Sequence, residues 1–140
     1  MKKHTDAVKT AIQQIPAVAS KTWVSVAPRD SQGKLPAPPY VVIHPQAGTD
    51  KQDRVTGPKK SQYPRFTLHM VGSSYDNAAS VAELVKAKFV VAGVGTKLAI
   101  TGEVTKPCWW SQPLPTQVDD SVAPPLVYEV AELGFQSDIA

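Results

Sequence analysis

The sequence predicts one small domain in which helices pack on a β-sheet, an α/β layer centred on residues 64–93. The first part of this stretch alternates, since Phe66, Leu68 and Met70 fall on one side of an extended chain, as in a half-buried strand. After Gly72 the apolar residues recur at three- and four-residue steps, which is typical of an amphipathic helix. The predicted buried stripe of that helix is Ala78, Val81, Ala82, Val85 and Phe89.

Length and composition are those of an ordinary globular domain. At 140 residues the chain can bury about two-thirds of its unfolded surface in a single domain. A hydrophobic share of 42% disfavours disorder, and no apolar run approaches the roughly 20 residues of a membrane span. The net charge of +3 is spread thinly, which is too little to indicate nucleic-acid binding. The first residues lead into a polar segment, so we expect no signal peptide and assembly in the cytosol.

Two helices are predicted. The first covers residues 5–15, with Thr5 or its neighbour as the cap, and its apolar stripe is Val8, Ala11, Ile12 and Ile15. The second follows the central strand, where Ser73 and Asp76 have the spacing of a capping box. Gly93 is the predicted left-handed residue that ends this second helix.

Four further strands are predicted around the central one. Residues 40–44 are apolar on both faces, which predicts an interior strand covered on both sides. Residues 22–27 and 97–104 are shorter candidates. Residues 126–135 form the longest strand-like run, after a proline-rich loop at 111–125 and before a short polar tail. We expect this last strand, like the first helix, to lie at an edge of the sheet.

The segment from Pro45 to Tyr63 has almost no large apolar residues and is rich in Gly, Asp, Lys and Gln. Connections longer than about 12–15 residues without structure are uncommon and are usually functional or disordered. We therefore expect a hairpin arm or loop at about residues 46–62 that is used for contacts, within a single domain that spans residues 1–140.

No catalytic, metal or cofactor site is predicted. His4, His44 and His69 have no cysteine or second histidine at a metal-ligand spacing, and zinc sites need three or four converging ligands. His69 is expected to face away from the core and to contact a neighbouring side chain. Cys108 is the only cysteine, so we expect a small buried hydrophobe rather than a nucleophile. No nucleophile, base and orienting group can be assembled, and we expect a protein that is not an enzyme.

Two segments carry candidate contact residues. Trp109 and Trp110 are adjacent, and successive side chains of a strand point to opposite faces. If one tryptophan enters the core, the other is exposed or meets a partner. The segment 53–60 has alternating charge and one apolar residue, which suits a contact with another subunit or a simply solvated loop. Its candidate interface residues are Asp53, Arg54, Val55, Lys59 and Lys60.

Four motifs follow one another along the chain. They are Tyr40-Val-Val-Ile-His-Pro, Asp53-Arg-Val-x-Gly-Pro, Pro64-Arg-Phe-Thr-Leu-His-x-Val-Gly-Ser-Ser, and a helix of the type Ala-x-x-Val-Ala-Glu-x-Val. Their order and spacing resemble those of the small tail terminator, or tail completion, proteins of long-tailed bacteriophages, in particular those of actinobacteria. The similarity covers about residues 38–92 and extends more loosely to residues 126–135.

The resemblance implies an α+β fold with a small mixed or antiparallel sheet flanked by two main helices. It also implies a virion structural role, in which six copies form a ring at the head-proximal end of the tail tube. Such a ring stops polymerisation of the tube and offers the surface that docks to the filled head. The implied partners are other copies of this chain, the tail tube protein and a head–tail connector or neck protein, while genomic DNA passes through the lumen without specific recognition.

On this reading the arm at 46–62 protrudes toward a neighbouring subunit or the tube, and Arg54 pairs with an acidic group across that contact. Lys59 and Lys60 could instead face the path of the DNA. Two alternatives remain open from the residues. A neck or head-completion connector would also form rings, and a nucleic-acid-binding module could use Trp109 and Trp110 to stack bases.

Overall fold

The computed structural model describes residues 2–52 and 59–139, with the side chains of 47–52 and 59–60 left out of the description. Within those residues the chain forms two α-helices, α1 (Lys2–Gln13) and α2 (Tyr75–Phe89), and one turn of 3-10 helix at Pro16–Val18. The ten described strands are β1 (Thr22–Val24), β2 (Tyr40–Gln52), β3 (Lys59–Gly72), β4 (Val90–Val91), β5 (Val94–Gly95), β6 (Glu103–Thr105), β7 (Trp109–Ser111), β8 (Gln117–Asp119), β9 (Leu126–Gly134) and β10 (Ser137–Ile139).

Eight of these strands make one mixed sheet around a β2–β3–β9 centre. The β1–β2 pair is parallel, while β3 pairs antiparallel with β2 on one side and with β9 and β10 on the other. Strands β7 and β8 lie on the far side of β9, and β6 lies on the far side of β10. The remaining two strands, β4 and β5, form a separate small hairpin. This confirms the predicted α+β class with a mixed, mostly antiparallel sheet.

Both helices cover the same side of the sheet, which we call the helix face. Phe66, Leu68 and Met70 of β3 are completely buried there, as their alternation predicts. Each fully buried side chain of this size contributes about 1.5–3 kcal/mol to folding. The predicted stripes of both helices are confirmed in the same core, with Val8, Ile12, Ile15, Ala78, Val81, Ala82, Val85 and Phe89 buried and Ala11 packed against them.

The opposite side of the sheet is covered only at one end. Tyr40, Val42, Val71 and Leu126 form a smaller buried cluster there, under the loop that follows β1 and the loop that precedes β9. Strand β2 therefore contributes Val41 and Ile43 to the helix face and Tyr40 and Val42 to the second cluster. The prediction that residues 40–44 form an interior strand covered on both sides is confirmed.

The helix termini differ from the sequence prediction. Helix α1 already begins at Lys2, so Thr5 is a buried residue within the helix and not its cap. The cap of α2 is Ser74, whose hydroxyl accepts a hydrogen bond from the Asn77 N–H, and not Ser73. Gly93 does not end α2, because it occupies the tight β4–β5 turn with φ of +78°, beside Ala92 at +52°.

The strand boundaries also differ at several places. Of the predicted strand at 97–104, only the last two residues are in a strand, where they begin β6. The predicted loop at 111–125 contains the short strand β8. The expected polar tail contains β10, which pairs with β3 and β6. The prediction of an edge position for residues 126–135 is wrong, because β9 is flanked by β3 on one side and by β7 and β8 on the other.

Residues 46–52 and 59–62 continue the two central strands. Strands β2 and β3 stay paired from Tyr40–Val71 to Gln52–Lys59, with irregular register after Gln46 and after Lys51. Bulges of this kind add twist and re-aim the strands beyond them. Residues 53–58, which include the candidates Asp53, Arg54 and Val55, lie outside the described part of the chain.

Candidate functional site

The two tryptophans point to opposite sides of the sheet, because they are successive residues of β7. Trp110 lies on the helix face, where its ring stacks on Phe89 with centroids 6.4 Å apart and an interplanar angle of 18°. Its indole N–H donates a hydrogen bond of 2.9 Å to Gln112 Oε1. Trp109 lies on the other side and keeps 41% of its surface exposed. One tryptophan therefore belongs to the core and the other is available for contact.

Trp109 is held in place by two neighbours. It pairs in register with Gly134, and a Cβ atom at that position would overlap the indole ring, so the ring lies directly against the strand backbone. The guanidinium carbon of Arg65 lies over the ring at 5.4 Å from its centroid, a cation–π arrangement. Arg65 also pairs with Glu132 Oε2 at 3.1 Å, and both of these side chains are partly exposed. The indole thus lies against the sheet with part of its surface exposed, and we call it the Trp109 platform.

Further polar side chains extend this surface across β2, β3 and β9. Gln46 Nε2 donates a hydrogen bond of 2.9 Å to Thr67 Oγ1. The rings of His44 and His69 lie 4.6 Å apart, and His69 stacks on Tyr128 at 5.5 Å. Since alternate residues of a strand share a face, these groups form one surface with the Trp109 platform. We call it the open sheet face, and its members are His44, Gln46, Arg65, Thr67, His69, Trp109, Val130 and Glu132.

His69 faces away from the core as the sequence predicts. Its half-buried position and the charge that His44 can carry both lower its pKa below the ordinary value. The imidazole of His69 is therefore neutral at neutral pH. The His69 ring contacts the neighbouring rings of His44 and Tyr128.

Most of the open sheet face is not evident from the sequence. The alternation along β3 puts Arg65, Thr67 and His69 on its outward side, but it does not mark them as contact residues. Alternation alone could have identified these three, whereas Gln46 and Glu132 join them only through the pairing of β2 and β9 with β3. Of the predicted contact residues, Trp109 belongs to this face, while the side chains of Lys59 and Lys60 lie outside the description.

A second polar cluster combines residue types that are used in catalysis. His4 Nε2 lies 3.0 Å from Glu103 Oε1, and Ser137 Oγ donates to the same oxygen at 3.1 Å. Lys3 Nζ lies 3.0 Å from Glu103 Oε2. The side chains of His4 and Glu103 are only 2% and 1% exposed, so a substrate cannot reach them. The cluster therefore joins α1 to β6 and β10 rather than forming an active site.

Electrostatics at this cluster favour the ionised carboxylate. Burial opposes the charge on Glu103, but the bonds from Lys3 and His4 outweigh that effect and lower its pKa below the ordinary value. No sequence spacing could reveal the cluster, because its members come from residues 3–4, 103 and 137.

Cys108 is buried, as expected for a small hydrophobe. Burial raises the pKa of its thiol to about 11, although a hydrogen bond with Thr96 acts in the opposite direction. The thiol is therefore protonated at neutral pH, and a protonated thiol is a poor nucleophile.

Among residues 2–52 and 59–139, no set of three or more His, Cys, Asp or Glu side chains is arranged to hold a metal ion. No helix in the described part of the chain is long and apolar enough to cross a membrane. A groove of about 680 Å³ lies between the loop before β2 and the loop before β9. It is lined mainly by prolines and small residues, with Arg29 and Lys34 at its charged positions.

Neither a protein-family model nor a curated protein matches this chain. Solved structures do share its fold, among them the following two. A chain from a structure described as the virion of a native gene transfer agent particle has a TM-score of 0.56 and 15% identity, over 96% of this chain and 92% of that chain. A second structure, whose name describes no function, has a TM-score of 0.53 and 14% identity, over 97% of this chain and 96% of that chain. The fold of this protein, over nearly its whole length, is therefore one that also occurs in a chain of a virion particle.

Proposed function

We propose that this protein is a structural component of a bacteriophage-type virion, and that it acts there as a tail terminator. Six copies would form a ring on the head-proximal end of the tail tube, stop its polymerisation and present the surface that docks to the head. The observation that carries the proposal is the whole-length fold match with a chain of the gene transfer agent virion. The order of the four sequence motifs supports the more specific role.

A ring subunit needs two different lateral surfaces that meet in a heterologous contact, and such contacts close into rings when the rotation permits. The open sheet face suits one of these surfaces, because it offers Trp109, Arg65 and two histidines on a rigid sheet. Aromatic residues and arginine are enriched at protein interfaces and dominate their binding energy. The arm between β2 and β3 is the candidate for the opposite surface.

The proposed partners are other copies of this chain, the tail tube protein and a head–tail connector or neck protein. DNA would pass through the lumen without sequence-specific contacts. The proposed location is the virion, with assembly in the host cytoplasm. The role needs no catalytic group and no cofactor, and the acid–histidine–serine cluster at Glu103 is inaccessible to a substrate.

A nucleic-acid-binding role is less well supported. Base stacking needs an aromatic ring with a free face, and Trp109 already contacts the Gly134 backbone and the Arg65 guanidinium. Trp110 stacks on Phe89 in the core. Neither tryptophan thus offers an unoccupied ring face on which a base could stack.

Electron microscopy of the purified protein tests the proposal. We expect six-fold rings with a lumen wide enough for DNA, and we expect these rings to bind purified tail tubes that lack a terminator. Rings that bind DNA-filled heads but not tubes would instead identify a neck connector. A protein that stays monomeric in the presence of tubes would contradict both roles.

The arm can be tested separately. We expect that Arg54→Glu, or deletion of residues 52–60, leaves the monomer folded, because this segment contains only one large apolar residue, Val55. Ring formation or tube binding should be lost, and size-exclusion chromatography with light scattering would measure it. Lys34→Glu, a charge reversal at another exposed position, is the control and should assemble normally. If both arm variants assemble normally, the arm does not form part of the proposed contact.

A further inference from the structure

The pairing of β2 with β3 brings two histidines together on the open sheet face. His44 and His69 are diagonal neighbours, since His44 pairs with Thr67 and His69 pairs with Val42. Their ring centroids are 4.6 Å apart, and the rings are tilted by 59°. Both side chains are half-buried. Two imidazoles are thus held close together by a regular part of the sheet.

This separation fits two imidazoles that bind one metal ion. A zinc–nitrogen bond of about 2.0–2.1 Å places a ring centre about 3.2 Å from the metal. Two such ligands at about 90° to one another then have ring centres about 4.5 Å apart, and at the tetrahedral angle about 5.2 Å. The observed 4.6 Å lies within this range.

The surroundings favour ligation over a purely structural contact. Within the described part of the chain, no hydrogen bond occupies the ring nitrogens of His44 or His69. Both histidines line a cavity of about 290 Å³ that has room for water ligands. Asp119 lines the same cavity and contributes negative charge that favours a cation.

We infer that His44 and His69 form a binding site for a divalent transition-metal ion of the zinc type, with one nitrogen from each ring and water in the remaining positions. Imidazole is a preferred ligand of zinc, copper and nickel. Because only two protein side chains are available, the ion would be exchangeable, unlike that of a closed structural zinc site. The inference stands on the histidine geometry and does not depend on the virion role.

Isothermal titration of the tag-free, chelator-treated protein with Zn²⁺ tests the site. We expect one ion to bind per chain, and His44→Asn or His69→Asn to lower the affinity about tenfold or more, because each removes half of the protein ligands. A variant that carries both substitutions retains His4, so it measures any Zn²⁺ binding outside the proposed site. Equal binding by the native protein and the folded double variant would show adventitious binding only and overturn the inference.

A second measurement needs no substitution. In long-range ¹H–¹⁵N spectra of the histidine rings, we expect Zn²⁺ to shift one nitrogen of His44 and one of His69. The buried His4 ring, which is bonded to Glu103, should stay unchanged. Lowering the pH should reverse the shifts, because protons compete with the metal for the nitrogens. Shifts confined to His4, or no shifts at saturating Zn²⁺, would contradict the assignment.

Discussion

At the scale of single residues, Glu103 is where the two ends of the chain meet. Its carboxylate contacts His4 from α1 and Ser137 from β10, and Lys3 completes the cluster from its exposed side. A buried carboxylate is costly unless it is paired, so each of these contacts offsets part of its desolvation. The cluster therefore stabilises the packing of the N-terminal helix against the C-terminal strand.

Glu103 should make stability depend on acid pH. Its pKa is lowered in the folded protein, so the unfolded chain takes up a proton first as the pH falls. Its stabilising contribution is present above the ordinary glutamate pKa and is lost as the pH falls through the lowered value. Urea unfolding between about pH 3 and 7 should show this loss.

Glu103→Gln provides the comparison. We expect it to lower the unfolding free energy at neutral pH by about 1–3 kcal/mol, since charge-assisted hydrogen bonds are lost. We also expect the variant to lose less stability on acidification, because glutamine does not titrate at this position. If the unfolding free energies of the two proteins fall in parallel with pH, the ionised Glu103 carboxylate contributes nothing to stability.

At the scale of elements, the sequence correctly predicts a serine cap at the N-terminus of helix α2 but places it one residue too early, at Ser73 instead of Ser74. The Ser74 hydroxyl accepts from the Asn77 N–H, and the Asn77 side chain accepts from the Ser73 N–H. This differs from a capping box by one residue, because the Asn77 side chain accepts from the N–H of Ser73, which precedes the cap, and not from that of Ser74. Ser73 and Asp76 have the same spacing as Ser74 and Asn77, which is why the sequence predicts Ser73 as the cap.

The two serines make a matched pair for a test. Ser74→Ala should lower the unfolding free energy by about 1 kcal/mol, because it removes the side-chain acceptor at the helix N-terminus. Ser73→Ala should have little effect, since Ser73 contributes its backbone N–H to the cap. Chemical unfolding monitored by circular dichroism would measure both. A larger loss of unfolding free energy in Ser73→Ala than in Ser74→Ala would show that Ser73 is the cap.

The short strands at the sheet periphery have a different origin from the central ones. Strands β2, β3 and β9 carry long apolar or alternating patterns, whereas β6, β8 and β10 have three residues each. A segment that short has too little periodicity to identify it as a strand, and the hydrogen bonds of an existing neighbour decide its conformation. This is why β8 and β10 were predicted as loop and tail.

At the scale of the whole molecule, the sheet has one closed face and one partly open face. The helix face contains most of the buried apolar residues, while the open sheet face exposes Trp109 among charged and imidazole groups. A sheet face of this composition is suited to contact another protein surface. Trp109 and Trp110 are successive residues of β7, so one of them lies on each face.

Replacing each tryptophan should therefore have different consequences. Trp109→Ala should leave the fold intact and impair assembly into rings, because the platform on Gly134 is lost. Trp110→Ala should lower the unfolding free energy by about 2–4 kcal/mol, because it removes a partly buried ring that packs on Phe89. Thermal unfolding and light scattering together would separate the two effects. Assembly that survives Trp109→Ala would remove this face from the ring contact.

The α+β class is what the family resemblance implied. The sequence patterns by themselves determined a layer of helices on a sheet, both helices with their buried stripes, the doubly covered strand at 40–44, and the opposite orientations of Trp109 and Trp110. These features follow from periodicity over adjacent residues, which depends only on the geometry of one helix or strand. Only the tertiary structure decided that β9 is interior, that His44 meets His69, and that Glu103 joins both chain ends. Those features depend on which distant segments pair, and strand pairing is selected by the packing of the whole sheet rather than by any local pattern.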